Sequence, residues 1–463
     1  MLDSNEHPDG NKSLRAFFWN SIGAGFGKFS VLALRLFQAP VLLSYLGASE
    51  YGVWLLLSTL PSWLSVANCG FGSVASNEMS LLAGAGDHRG ANCVFSSACA
   101  VVTALMILGV AVTIPFALII PWHNWLGTHI SRNREIAYAT AFLSASVFIS
   151  FWGELQGGRF RVAGKAYESM LFSAVRPWCD IVFLVIFLHY SSRFDLLALS
   201  TFCSSILFFL LYWWNSTRVC PTIYFRYSLV DWHWFNRLIR KGIAFQAFPL
   251  GNAILFQGSL LIVQYVLGSI AVAAFGTART LVRLISQFME LINQAVWPEL
   301  TLLIGAGNLR KAAQLHRISV FASILISAIL TVFLAFFGLA MFNLWTGSKI
   351  ELTQFQLILF LIPVPFNAFW FTSMVVHTAT NRHEDLAKRY LVATTFGAVA
   401  CFFLCNLYGL EGAAISSVCV DLLLVPFVFR RSLDITNDTL GGFFTNLGTD
   451  LTLLSRYQFW RRN

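Results

Sequence analysis

Arg279, Arg283, Gln287 and Glu290 follow one another at three- and four-residue spacing inside an otherwise apolar stretch. At the angular advance of an α-helix they fall, with Gln294, inside an arc of about 80°. Near the N-terminus Asn20, Lys28, Arg35 and Gln38 also share an arc of about 80°. Two guanidinium groups one helical turn apart offer planar forks of donors that match phosphate oxygens. Lys28, Arg35, Arg279 and Arg283 are therefore candidate contacts for an anionic ligand. Gln257, Gln287, Glu290 and Asp421 are candidate polar cavity groups, with Glu290 and Asp421 suited to a coupling proton or sodium ion.

Five cations, Lys28, Arg35, Arg176, Arg279 and Arg283, stand in apolar surroundings. Facing lipid, each costs about 2.5–3.5 kcal/mol, on the order of 12–17 kcal/mol together, so they must face protein or a wet cavity. Arg176 and Asp180, at i and i+4, read as an internal salt bridge. Glu78 with Arg89, and Glu299 with Arg310, read as ion-pair clasps at the membrane rim. The sequence has no P-loop, the nine Cys form no CxxC pair, and the nine His lack ligand spacing. No metal or other cofactor is expected, and no feature demands an enzyme.

The elements that must position these residues are membrane helices. The chain is 57% hydrophobic and only 11% charged, whereas soluble domains carry about 25% charged residues. Apolar runs of about 20 residues, enough to span a bilayer, recur throughout. The reading is an all-α polytopic membrane protein of about twelve spans, near 17–43, 46–68, 94–120, 136–152, 170–190 and 196–214, then 242–266, 269–295, 318–345, 352–376, 391–407 and 410–429. This gives a tail 1–16, a six-helix lobe 17–214, a linker 215–241, a second six-helix lobe 242–430 and a tail 431–463. The polar start lacks the apolar core and cleavage site of a signal peptide. Lys and Arg concentrate in the loops on one side, including Arg89, Arg159, Arg161, Lys165, Arg237, Arg310, Lys311 and Arg389. The positive-inside rule places both termini in the cytoplasm. The net charge of +9 reflects this bias and attraction to anionic lipid; no nucleic-acid partner is needed.

The two lobes are repeats. LLAGAGDHRGAN at 81–92 returns as LLIGAGNLRKAA at 302–313. At the same offset Leu46-Gly47 corresponds to Leu267-Gly268, Glu78 to Glu299, and Arg89 to Arg310. An even number of spans per lobe makes the repeats parallel, related by an axis along the membrane normal. The register also sets Ser58 and Ser62 opposite Arg279 and Arg283, so the arginine pair belongs to one lobe alone.

The stretches YLGASEYGVWLLLSTLPSW and CGFGSVASNEMSLLAGAGD, with VLGSIAVAAFGTARTLVRLISQF, WPELTLLIGAGN and NLYGLEGAAISSV in the second half, resemble the polysaccharide transporter family. These are the Wzx-like O-antigen flippases of the MOP superfamily, and the resemblance covers nearly the whole chain. It implies a MATE-like fold in the bacterial inner membrane. The implied function is alternating-access transfer of a polyprenyl-diphosphate-linked oligosaccharide, an O-antigen, capsule or exopolysaccharide repeat unit. Implied partners are that lipid-linked cargo, membrane lipids and the polysaccharide polymerase or chain-length machinery. The competing expectations are a MATE-like exporter of small molecules or drugs, for which an anionic cavity is the better match, and a membrane glycan polymerase or glycosyltransferase.

Overall fold

The computed structural model describes residues 10–68, 70–126, 132–244, 246–380 and 384–455. Among the described residues the chain is helical and forms no strand. An apolar chain in lipid must satisfy its backbone N–H and C=O groups within the segment itself, which the helix does. Two compact units result: Met1–Gly47 with Leu57–Gln246, and Ala48–Leu56 with Ala247–Asn463.

The first unit contains most of α1 (Gly10–Leu57), then α2 (Leu60–Ser65), α3 (Phe71–Gly84), α4 (His88–Ile119), α5 (Trp122–Leu126), α6 (Asn133–Val162), α7 (Ala166–Ser173), α8 (Arg176–Tyr190), α9 (Phe194–Val219) and α10 (Trp232–Ala244). Its core joins Met79 and Phe71 of α3 to Phe95 and Val102 of α4 and to Phe151 and Leu155 of α6. The second unit takes the last turns of α1, where Ser49 and Ser269 share a hydrogen bond of 3.1 Å. It continues with α11 (Ala247–Asn252), a π-helical turn (Ala253–Gly258), α12 (Ser259–Leu267), α13 (Ser269–Gly305) and α14 (Leu309–Thr346). α15 (Gln354–Leu361), α16 (Pro363–Ala379), α17 (Glu384–Ile415), α18 (Ser417–Thr436) and α19 (Leu440–Ser455) complete it.

Ten helical stretches among the described residues are long and apolar enough to cross a membrane. The expected set of about twelve differs at two places. The first two expected spans form one helical stretch, because the helix resumes at once after a single non-helical residue, Gly47 (φ 74°, ψ 173°). The last, α18, carries Asp421, Arg430, Arg431 and Asp434 and so is too charged to count on composition.

The repeat is visible bond for bond. After α3 the Asp87 amide donates to the Leu82 carbonyl at 2.9 Å and the Gly86 amide to Ala83 at 3.0 Å; after α13 Asn308 donates to Leu303 at 2.9 Å and Gly307 to Ile304 at 3.0 Å. Asp87 caps α4 by accepting from the Gly90 amide, and Asn308 caps α14 by accepting from the Lys311 amide. Gly47 and its counterpart Gly268 (φ 85°, ψ 178°) occupy the same backbone region, one open essentially only to glycine.

In each unit the helix after this loop also holds the segment that follows the unit's last long helix or helices. Asn92, Ser96 and Ser97 of α4 bond the backbone of Thr222, Tyr224, Arg226 and Asp231, so the linker lies fastened on the first unit. Arg317 of α14 stands at the repeat position of Ser96 and binds Asp438 and Asp450, both at 2.6 Å, with all three side chains buried. That triad fixes α19, inside the stretch 431–463 that the sequence suggests is a tail.

Candidate functional site

A cavity of about 380 Å³ opens within the second unit. One wall is α13, which delivers Arg279, Arg283, Gln287 and Glu290 on a single face, as helical phase requires. α18 supplies Asp421, α16 supplies Asn367 and Trp370, and α17 supplies Tyr390. The π-turn and its flanks supply Asn252, Phe256 and Ser259.

The π-turn explains how Arg279 sits. Widening a helix from i→i−4 to i→i−5 bonding displaces carbonyls from the regular ladder, and such turns recur at functional sites. Arg279 donates to the Phe256 carbonyl and to the Ser259 hydroxyl, each at 2.7 Å. Its guanidinium also lies 5.0 Å from the Phe275 ring centroid. Arg283 lies 4.3 Å above the Phe256 ring, a favourable position for a desolvated cation. Arg279 thus braces the wall, while Arg283 rests on an aromatic face of the cavity.

The opposite charge is also built in. Asp421 is buried (4% exposed) and accepts from Trp370 Nε1 at 2.7 Å and from the Asn367 amide at 3.3 Å. Tyr390 donates to Asn252 Oδ1 at 2.7 Å. The lining therefore combines two arginines, two carboxylates, several amides and a set of aromatic rings.

Of the expected site residues, Arg279, Arg283, Gln287, Glu290 and Asp421 converge here. Gln257 belongs to the π-turn but is not among the lining residues. Arg35 lies in the first unit, exposed and without a hydrogen bond or ion pair among the described residues. The side chain of Lys28 is outside the described residues. Phe256, Trp370 and Tyr390 carry no signal in the sequence, being aromatic positions in apolar helices, and Asn367 is a lone amide with no polar neighbour at helical spacing on α16 to mark its face.

The expected ion pairs are corrected. Arg176 and Asp180 form no bridge: Arg176 donates to Ser205 at 3.4 Å and Asp180 accepts from Ser204 at 2.5 Å. Both side chains reach sideways to adjacent serines of α9 instead of along α8. Glu78 does not pair with Arg89. It is buried beneath α10 and lies 3.6 Å from Arg237, whereas Arg89 points outward from the start of α4. Glu299 and Arg310 likewise form no ion pair, Arg310 being exposed beyond the Gly-Ala-Gly loop. What the repeat preserves at the rim is the backbone loop, not a clasp of charges.

No family model matches the sequence, and no curated protein matches it. In three dimensions the chain is similar to an inward-facing multidrug resistance MATE family transporter of the MOP superfamily. The TM-score is 0.73 at 16% identity, over 89% of this chain and 96% of that one. The fold is that of the MATE transporters. The same MATE fold appears in DinF-BH, a MATE multidrug transporter solved as a ligand complex, with a TM-score of 0.67, 13% identity and coverage of 95% and 100%. A MOP superfamily transporter from Pyrococcus furiosus, described as having a binding pocket of reverse polarity that suggests a different function, shares it at a TM-score of 0.64, 15% identity and coverage of 92% and 96%.

Proposed function

We propose that this chain is a transporter of the MOP superfamily that moves a polyprenyl-diphosphate-linked oligosaccharide across the bacterial inner membrane by alternating access. The observation that carries the reading is the arginine pair of α13, one turn apart in a cavity of the MATE fold. Arg283 on its aromatic rest is the contact for a diphosphate, and Arg279 holds the wall that positions it. The amides, Glu290 and the rings of Trp370 and Tyr390 suit the hydroxyls and faces of sugars, which polar and aromatic side chains recognise together. Transfer of this kind makes and breaks no covalent bond.

A second reading, export of a small organic cation, draws on Asp421 and Glu290 in the same cavity. It draws also on the MATE multidrug transporters that share the fold, although the Pyrococcus furiosus protein indicates that pocket polarity varies within it. Binding of undecaprenyl diphosphate and of a cationic rhodamine dye to the purified chain, followed by tryptophan fluorescence, separates the two. The flippase reading expects Arg283→Ala to weaken diphosphate binding roughly 10- to 100-fold, the loss of a charged hydrogen bond, with folded yield unchanged. Arg283→Ala should also fail to complement a flippase-deficient strain. Unchanged diphosphate binding, with tight rhodamine binding lost in Asp421→Asn, supports the exporter instead.

A further inference from the structure

The linker carries a second surface with chemistry of its own, independent of the cargo. Its backbone is pinned to α4 by the Asn92, Ser96 and Ser97 bonds, and Cys220, Ile223 and Leu238 are buried in the core of the first unit. A segment fastened this way in contact with water turns polar side chains outward. Here Tyr224, Phe225, Tyr227 and Trp232 are 48%, 47%, 85% and 69% exposed. Trp232 is held face to face with Phe235, ring centroids 4.4 Å apart and planes 10° from parallel.

Arginines alternate with these rings. Arg218 lies 3.7 Å above the Trp214 ring, Arg226 is exposed, and Arg237 lies 4.9 Å from the Trp234 ring. The only exposed carboxylate between Trp214 and Arg237 is Asp231, which accepts from the His233 amide at the start of α10. Trp214 and Arg218 sit in the last turns of a helix long enough to cross the membrane, so the segment leaves the bilayer at headgroup level. Amphipathic rings beside guanidinium groups at that depth have the composition of a membrane–water interface.

We infer that residues 214–237 form an interfacial anchor that docks on the anionic phospholipid headgroups of the leaflet from which this segment emerges. The rings of Tyr227 and Trp232 enter the headgroup layer, and Arg218 and Arg226 contact phosphates. Charge complementarity selects anionic lipid, because basic residues near such a surface are drawn to it while zwitterionic lipid offers no net attraction.

Native mass spectrometry of the full chain, released from micelles with phosphatidylglycerol or phosphatidylcholine, tests this. The wild type should retain phosphatidylglycerol in preference. Arg218→Gln and Arg226→Gln should each reduce that retention about fivefold, whereas Arg89→Gln, exposed outside the segment, should not. Equal retention of both lipids, or wild-type retention by the double variant, overturns the inference. A fluorophore on Tyr227→Cys in nanodiscs containing phosphatidylglycerol gives a second measurement, with the labelled parent chain as blank. Quenching by lipid-borne nitroxide is the expected result. Quenching by aqueous iodide alone, or shielding from both by a bound protein, overturns it.

Discussion

Ala48–Gly84 and Ser269–Gly305 occupy equivalent places in the repeat, yet only the second is one unbroken helix. The first is interrupted after Leu57, restarts at Leu60 with Pro61 in its opening turn, tightens to a 3₁₀ turn at Val66–Asn68, and restarts again after Gly70 in the left-handed region (φ 62°). The second half has Val282 and Leu291 at the positions of Pro61 and Gly70. A proline and a left-handed glycine break the phase of a helix; α13 has neither from Arg279 to Glu290, its proline being Pro298 beyond the stripe, and it keeps that stretch in line. The continuous polar stripe thus depends on the absence of helix breakers as well as on the presence of arginines.

The contrast between the units is sharpest at Ser96 and Arg317. Arg317→Ala leaves Asp438 and Asp450 buried without their cation and should cost about 3–5 kcal/mol. Ser96→Ala removes one neutral hydrogen bond and should cost about 1 kcal/mol. Thermal unfolding midpoints in micelles measure both, and similar losses would erase the distinction. Next, Val282→Pro transfers the first half's breaker into α13 and should cost about 3 kcal/mol or more, with ligand protection lost as the stripe falls out of line. A well-folded, ligand-protected Val282→Pro chain would show that helix continuity is not what aligns the stripe.

Gly47→Ala and Gly268→Ala probe what the halves share. Each should cost about 1–3 kcal/mol, and a clear inequality in denaturation midpoint would mean the two kinks are not equivalent. The smallest effects belong to the caps. Asp87→Ala and Asn308→Ala should each cost about 1 kcal/mol, seen as faster hydrogen exchange at the Gly90 and Lys311 amides respectively. No change at either amide would mean that the caps are not among the devices the halves share.

Local, periodic features are legible in the sequence. The stripe from Arg279 to Glu290 follows from spacing alone, and the Gly-Ala-Gly loops follow from their recurrence. Partners distant in sequence are not legible. Glu78 meets Arg237 across the linker's fold-back, and Arg317 meets two carboxylates more than a hundred residues later. Arg176 and Asp180 have ideal spacing for a bridge, but serines on the neighbouring helix outcompete it. Periodicity identifies the face a side chain shares, whereas its partner depends on which helix packs there.

The π-turn at Ala253–Gly258 makes residue count matter on this wall of the cavity. A π-turn holds about one residue more than an α-turn. Removing a single residue between Ala253 and Gly258 should let the helix close as ordinary α and withdraw the Phe256 carbonyl from Arg279, an outcome that loss of Arg279-dependent stability would report. The shape of this wall is therefore set by length more than by side-chain identity.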